Sequence, residues 1–236
     1  MRENRLIASI PDKERKRLQP YLQDVTLGFG QQLLEFEAPI EYVFFPEDCV
    51  TSTVVDSIDG SRIEVGLMGA EGLIGLSLVY GVSASNATVV VQIAGRAKRM
   101  KTTDFNRLVV EANGVLLKLL LRYANYFAAM VQQHAACNSI HPLKERMCRW
   151  ILLTQDRVQR DDFPLTQDYL AQMLGVRRPT VSNIASELKR AGFINYTRGS
   201  IAVTDRKGLE ETSCECYGVI NDSMEQTFEI PDSLQK

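Results

Sequence analysis

Residues 165–190, LTQDYLAQMLGVRRPTVSNIASELKR, decide how the rest of the chain is read. Two helical segments meet there at a glycine. The first starts at an N-cap candidate, Thr166, and keeps Tyr169, Leu170, Met173 and Leu174 on one face, with Gly175 free to take the positive φ that ends it. The second begins near Arg177 and repeats Val181, Ile184, Ala185 and Leu188 at helical spacing, leaving Arg178, Pro179, Ser182, Asn183 and Ser186 on a polar, basic outer face. Two short helices about a glycine turn make either an ordinary helical hairpin or a helix-turn-helix, whose second helix enters the DNA major groove. Ala191-Gly192 then ends the second helix, and the β-prone runs 193–196 and 200–204 flank a turn at Arg198-Gly199. That order predicts a winged helix-turn-helix.

The 236 residues, 45% of them hydrophobic and with a net charge of −2, suit a soluble globular protein of two domains. Overall acidity does not argue against DNA binding, which depends on where the charge lies. Residues 144–207 carry 12 Lys/Arg against 7 Asp/Glu, whereas the chain beyond them is acidic. The start, MRENRLIASIPDKERKRL, lacks the apolar core of a signal peptide. Residues 115–137 carry Lys118, Arg122, Asn125, Gln132, Gln133 and His134, too polar a set for a lipid-facing helix. The expected location is the cytoplasm, with no membrane partner.

Cys49, Cys137, Cys148, Cys214 and Cys216 are spaced neither as a disulfide framework nor as a four-cysteine zinc or iron-sulfur site. The Cys214/Cys216 pair reads as two ordinary thiols, and no metal is assigned. Paired carboxylates, a nucleophile with its base and a P-loop are all missing from the sequence, and both histidines fall on one helix. No catalytic residue is therefore expected, nor an enzyme.

Taken in order, residues 9–22 read as one short opening helix with Pro11 at its start. Residues 25–100 change to short β-rich runs: 42–45 stopping at Pro46, 51–57 paired with 62–68 across Asp59-Gly60, then 88–93 and 96–100. Such spacing suggests a sandwich or jelly-roll barrel. A short helix from Thr102 or Thr103 to Val110 ends before Asn113-Gly114.

A long helix follows, in which Leu116, Leu120, Tyr123, Phe127, Met130, His134, Cys137 and His141 alternate by fours and threes, the coiled-coil repeat. Leu117, Leu121, Ala124, Ala128, Val131 and Ala135 form a second stripe one position on. One side should pack on the barrel and the other on a partner helix, with Leu116 to Cys137 of the first stripe as the dimer seam. His134, Cys137 and His141 could meet their copies in a dimer as soft ligands, or simply form a polar end to the seam. Pro142 places a hinge at residues 138–142, before a helix over 143–157. The fold class is thus α+β: a jelly-roll barrel with flanking helices over 1–113, a dimerisation helix and hinge over 114–141, and a winged helix-turn-helix with a helical tail over 142–236.

This order resembles the Crp/Fnr family of bacterial transcription regulators over nearly the whole chain. The most specific carriers are LTQDYLAQMLGVRRPTVSNIASELKRAGFI, the preceding RMCRWILL, and EGLIGLSLVYG after the Asp59-Gly60 hairpin. The resemblance implies a cyclic-nucleotide-binding-like barrel that senses a small molecule or redox state, and a homodimer on palindromic double-stranded DNA. It also implies contact with RNA polymerase if the protein is an activator. Arg177 and Arg178 would lie near phosphates and guanines, Ser182 and Asn183 at neighbouring bases with Pro179 beside them, and Thr166, Gln167, Thr180, Lys189 and Arg198 at phosphates. Where well-known members carry a Glu that reads cytosine and a later Arg that reads guanine, Pro179 and Asn183 stand here, which implies a different operator.

The same resemblance places a candidate effector pocket at Glu71, Gly72, Gly75, Ser85, Asn86 and Ala87, with Gln132 and Gln133 reaching in from the long helix. Cyclic-nucleotide binders follow a Gly-Glu pair with an Arg-Ser pair that holds the phosphate. Here Asn86 takes the arginine position, and no Lys or Arg lies between Arg62 and Arg96, which argues against cyclic AMP. Backbone N–H groups at Gly72 or Gly75 could still cradle a phosphate. Oxygen-sensing members hold an iron-sulfur centre with N-terminal cysteines, and none precedes Cys49. Haem sensors need an axial ligand on the barrel, and both histidines lie beyond it. The alternatives left open are a constitutive DNA binder with a vestigial pocket, or a sensor whose winged helix docks protein.

Overall fold

The computed structural model describes residues 3–58, 62–197 and 199–229. The opening segment is two helices rather than one, α1 (Arg5–Ala8) and α2 (Asp12–Leu18), because Asn4 caps the first with its side chain and Pro11 starts the second. A 3-10 turn (Gln19–Tyr21) leads into strands β1 (Gln23–Leu27), β2 (Gln32–Leu34), β3 (Tyr42–Pro46), β4 (Val50–Asp56) and β5 (Arg62–Met68). After a second 3-10 turn (Leu76–Tyr80) come β6 (Thr88–Ile93) and β7 (Gly95–Lys101). Helix α3 (Thr102–Phe105) continues into a π-helical turn, Asn106–Val110.

Two antiparallel sheets result, β1-β7-β3 and β2-β6-β4-β5, sharing one apolar core. The expected closed barrel is not formed. Strand β2 spans three residues and shifts register against β6, and no ladder joins the two sheets among the described residues. Every residue of β6 is buried, in keeping with its largely β-branched sequence, and the one amide in it, Gln92, donates to Thr154 of α5. The β4-β5 hairpin pairs Asp56 with Arg62 at its turn end; the expected turn at Asp59-Gly60 lies outside the described residues.

Helix α4 (Val115–Ile140) runs 26 residues, about 39 Å. Its first free amides, on Val115 and Leu116, donate to the Glu14 carboxylate of α2 at 3.1 and 3.2 Å, a negative charge at the positive end of the helix. The helix has three faces. Leu116, Leu120, Tyr123, Met130, His134 and Cys137, expected as the dimer seam, are buried within the single chain, with Phe127 partly so against β5. This stripe carries the larger side chains, so the sheets take it.

A second face meets the C-terminal helix. Helix α5 (Leu143–Val158) starts at Pro142, and the winged unit adds β8 (Asp162–Pro164), α6 (Gln167–Met173), α7 (Arg178–Arg190), β9 (Ile194–Thr197) and β10 (Ser200–Val203). Helix α8 (Arg206–Thr212) packs on α5, and α9 (Cys216–Phe228) returns along α4. Arg122 of α4 donates to the carbonyls of Gln226, Thr227 and Glu229 at the end of α9, and Arg5 pairs with Glu225 at 2.6 Å. The third face of α4 stays open. It presents Leu121, Asn125, Ala128, Gln132 and Ala135, again spaced by fours and threes.

Candidate nucleic-acid interface

Helix α6 begins where the sequence predicts, with Thr166 Oγ1 accepting from the Tyr169 amide at 3.1 Å. Gly175 ends it at φ +65, and the Arg146 side chain of α5 donates to the Leu174 carbonyl at 2.8 Å, satisfying an acceptor the helix leaves free. Helix α7 buries Val181, Ala185 and Leu188 against α6 and the wing. That burial fixes which face is left outside. Arg177, Arg178, Pro179, Thr180, Asn183, Ser186, Lys189 and Arg190 are all exposed. Pro179 sits in the first turn, where its missing N–H has no helical partner.

Strand β10 lies between β9 and β8, pairing Ser200 with Thr197 on one side and with Pro164 on the other. The wing is therefore a three-stranded sheet, and β8 is the strand that sequence reasoning missed. Its run is three residues long, too short to show alternation. Thr166, Gln167, Arg178, Tyr196 and Gly199 line one shallow concavity between the first turns of α6 and α7 and the wing. The Arg178 guanidinium and the Asp168 carboxylate both line it, beside the two helix starts. Arg178 stands 3.5 Å from Asp168, both exposed.

Not every predicted contact is equally free. Ser182 is half-buried and donates to Gln167 Oε1 at 2.5 Å, tying α7 to α6. Lys189 reaches the Tyr196 carbonyl of the wing at 3.5 Å. Arg198 lies outside the described residues. Beneath, the Tyr196 hydroxyl donates to the Leu165 carbonyl at 2.7 Å, and burial pushes its pKa up to about 12.

The candidate effector residues divide. Gly75, Ser85, Asn86 and Ala87 line a cavity of about 40 Å³ between the β2-β6-β4-β5 sheet and Phe127, room for a few waters rather than a nucleotide. Glu71 is elsewhere: its carboxylate meets Arg157 of α5 at 2.9 Å, both side chains buried. Gly72 lies under Tyr123, whose hydroxyl would be 2.3 Å from an added Cβ, so close packing of α4 requires a glycine there. Gln132 is exposed, and Gln133 donates to Cys216 Sγ at 3.1 Å, so neither reaches the cavity. Both correct the expectation, because α4 turns them to its other faces.

The winged unit is docked on the sheet through a buried polar cluster that the sequence did not suggest. Glu64 of β5 accepts from Ser52 Oγ at 2.6 Å and from the Trp150 indole N–H at 2.9 Å. Ser52 also touches the Tyr169 hydroxyl of α6 at 3.2 Å. Burial pushes the Glu64 carboxyl up to about 7, against the opposing pull of those two donors and of Arg149 and Arg157. His134, expected at the helix seam, sits behind this cluster with Nδ1–H donating to the Val65 carbonyl at 3.1 Å. Burial and then the Arg149 charge hold it near 3, a neutral core imidazole.

Comparison with known proteins agrees with this architecture. Residues 145–212 match the Crp-like helix-turn-helix domain. A regulator of the Crp/Fnr family from Eubacterium rectale superposes with TM-score 0.64 at 14% identity, over 88% of this chain and 97% of that one. The chain has the Crp/Fnr regulator fold. FixK2 from Bradyrhizobium japonicum shares the fold at TM-score 0.67 and 15% identity, covering 82% of this chain and 98% of its own. TTHB099 from Thermus thermophilus, a transcriptional regulator of the CRP family, gives 0.66 and 15%, over 80% and 96%. No curated protein sequence matches significantly. Among the described residues, no single helix is long and apolar enough to cross a membrane.

Proposed function

We propose that this Crp/Fnr-type chain is a cytoplasmic, non-catalytic transcription regulator that binds a palindromic operator as a homodimer. The observation that carries the reading is the outer face of α7, where Arg177, Arg178, Thr180, Asn183 and Lys189 stand exposed on a helix whose other face is core. Two such helices related by a dyad would reach successive major grooves about 34 Å apart. Arg177 and Arg178 would meet guanines and phosphates, an Arg on guanine O6 and N7 discriminating by about 1–3 kcal/mol. Asn183 would read a neighbouring base, and Thr166, Gln167, Thr180 and Lys189 would fix register on phosphates. The open face of α4 supports dimerisation, and an activator would further contact RNA polymerase.

Asn183→Ala should lose discrimination at particular base pairs, whereas Lys189→Ala should weaken cognate and random DNA alike. Competition binding on a selected operator and its point variants reads this directly. Equal effects of both substitutions on both kinds of DNA would sink the assignment. Steep salt dependence separates DNA binding from a protein-docking winged helix, because only nucleic acid releases counterions on that scale. The small cavity favours a second reading, a constitutive binder with a vestigial pocket; operator affinity unchanged by any small-molecule extract would support it over a signal-controlled one.

A further inference from the structure

Cys137 lies in the last turn of α4, and His141 follows it by four residues at the helix end, so both side chains leave the same face. Cys214 and Cys216 arrive from the α8–α9 junction, 77 residues along the chain from Cys137 in the first case. The three sulfurs and one imidazole nitrogen all lie within 4.8 Å of one another, with the three cysteines buried. Cys137 Sγ is 3.5 Å from Cys214 Sγ, and Cys216 Sγ is 3.5 Å from His141 Nδ1. Both separations are far beyond a disulfide bond of about 2.05 Å. They match the edges of a tetrahedron about one ion, since Zn–S near 2.3 Å and Zn–N near 2.0–2.1 Å put neighbouring ligand atoms about 3.6–3.8 Å apart. A multi-iron cluster would spread its ligands more widely.

We propose that Cys137, His141, Cys214 and Cys216 bind one Zn²⁺ ion, which fastens the end of α4 to the start of α9. This departs from the reading of Cys214 and Cys216 as ordinary thiols. Spacing alone could not show it, because one half of the ligand set comes from the end of α4 and the other from the α8–α9 junction, 77 residues apart from Cys137 to Cys214.

The surroundings are those of a metal centre. His141 Nε2 is 3.2 Å from Glu215 Oε2, so the carboxylate can take the outer N–H and leave the Nδ1 lone pair facing the sulfurs. Gln133 donates an N–H to Cys216 Sγ at 3.1 Å, a contact that stabilises a thiolate better than a thiol. Binding exchanges three thiol protons, released to solvent, for one Zn²⁺ with no change of oxidation state, leaving the centre at −1. Arg146 and Arg149 act electrostatically on this cysteine group and offset that charge. His134 takes no part, being held at Val65.

The test uses the full chain, purified reduced. Elemental analysis should find about one zinc per chain, and Co²⁺ in its place should give tetrahedral d–d bands with strong thiolate charge transfer. Cys214→Ser and Cys216→Ser should lose metal and spectrum, while Cys49→Ser and Cys148→Ser should keep both. Should the serine variants not fold, His141→Cys remains decisive: metal is retained and the cobalt spectrum shifts to that of four thiolates. The proposal is overturned if the reduced wild type takes up no Zn²⁺ or Co²⁺, if Cys216→Ser keeps its metal, or if His141→Cys leaves the spectrum unmoved.

Discussion

At the scale of single residues, Glu64 carries the most testable chemistry. A carboxyl held at about 7 in the fold, against an ordinary value of 4.5, binds its proton more tightly folded than unfolded. The resulting stabilisation is fully present below about 4.5 and is lost as pH rises through about 7; the shift corresponds to roughly 3 kcal/mol. Glu64→Gln keeps an acceptor for Trp150 and a donor toward Ser52 but cannot titrate. Across pH 5 to 8 the melting temperature of the wild type should therefore fall relative to that of the variant as pH rises. Parallel curves would refute the assignment. Nothing local in the sequence pointed to Glu64, because its partners Ser52 and Trp150 lie 12 and 86 residues away. Asn183 and Lys189, by contrast, were legible, since their exposure follows from helical periodicity within α7 alone.

At the scale of elements, the turn between α6 and α7 depends on Gly175. Its φ of +65 suits glycine, and an added Cβ would stand 3.3 Å from Ile63 Cδ1 of β5. Gly175→Ala should cost about 1 kcal/mol or more, read from a lower urea midpoint with unchanged slope. A midpoint equal to that of wild type would show that the turn tolerates a side chain. Elements with a clear period, such as α5, α6 and α7, and strands bounded by turn residues, such as β3 and β6, were readable from sequence. Short pieces were not: α1, β2 and β8 have three or four residues each, little more than one period and too few for a pattern to recur. Helix α4 was recognised as a helix, but its faces were exchanged. A helix apolar around most of its circumference announces two partners without saying which stripe meets which.

At the scale of the whole molecule, the open face of α4 is where the proposed homodimer would place its second copy. Leu121 is 46% exposed there, between the small side chains that let helices approach closely. Ala128→Arg should convert a dimer to a monomer in light scattering and abolish binding to a full palindrome while the fold persists. A variant that stays dimeric would move the interface elsewhere. The return of α9 onto α4 has a mechanical consequence for such an assembly. The winged unit leaves α4 through Pro142 and comes back to it through α9, so the segments form a closed linkage rather than a pendulum on one joint. A closed linkage has fewer free rotations than a single hinge. Swinging the unit outward must strip α9 from Arg122 and Arg5 and must also part Trp150 and Tyr169 from Glu64 and Ser52, so reorientation breaks contacts at both attachments at once.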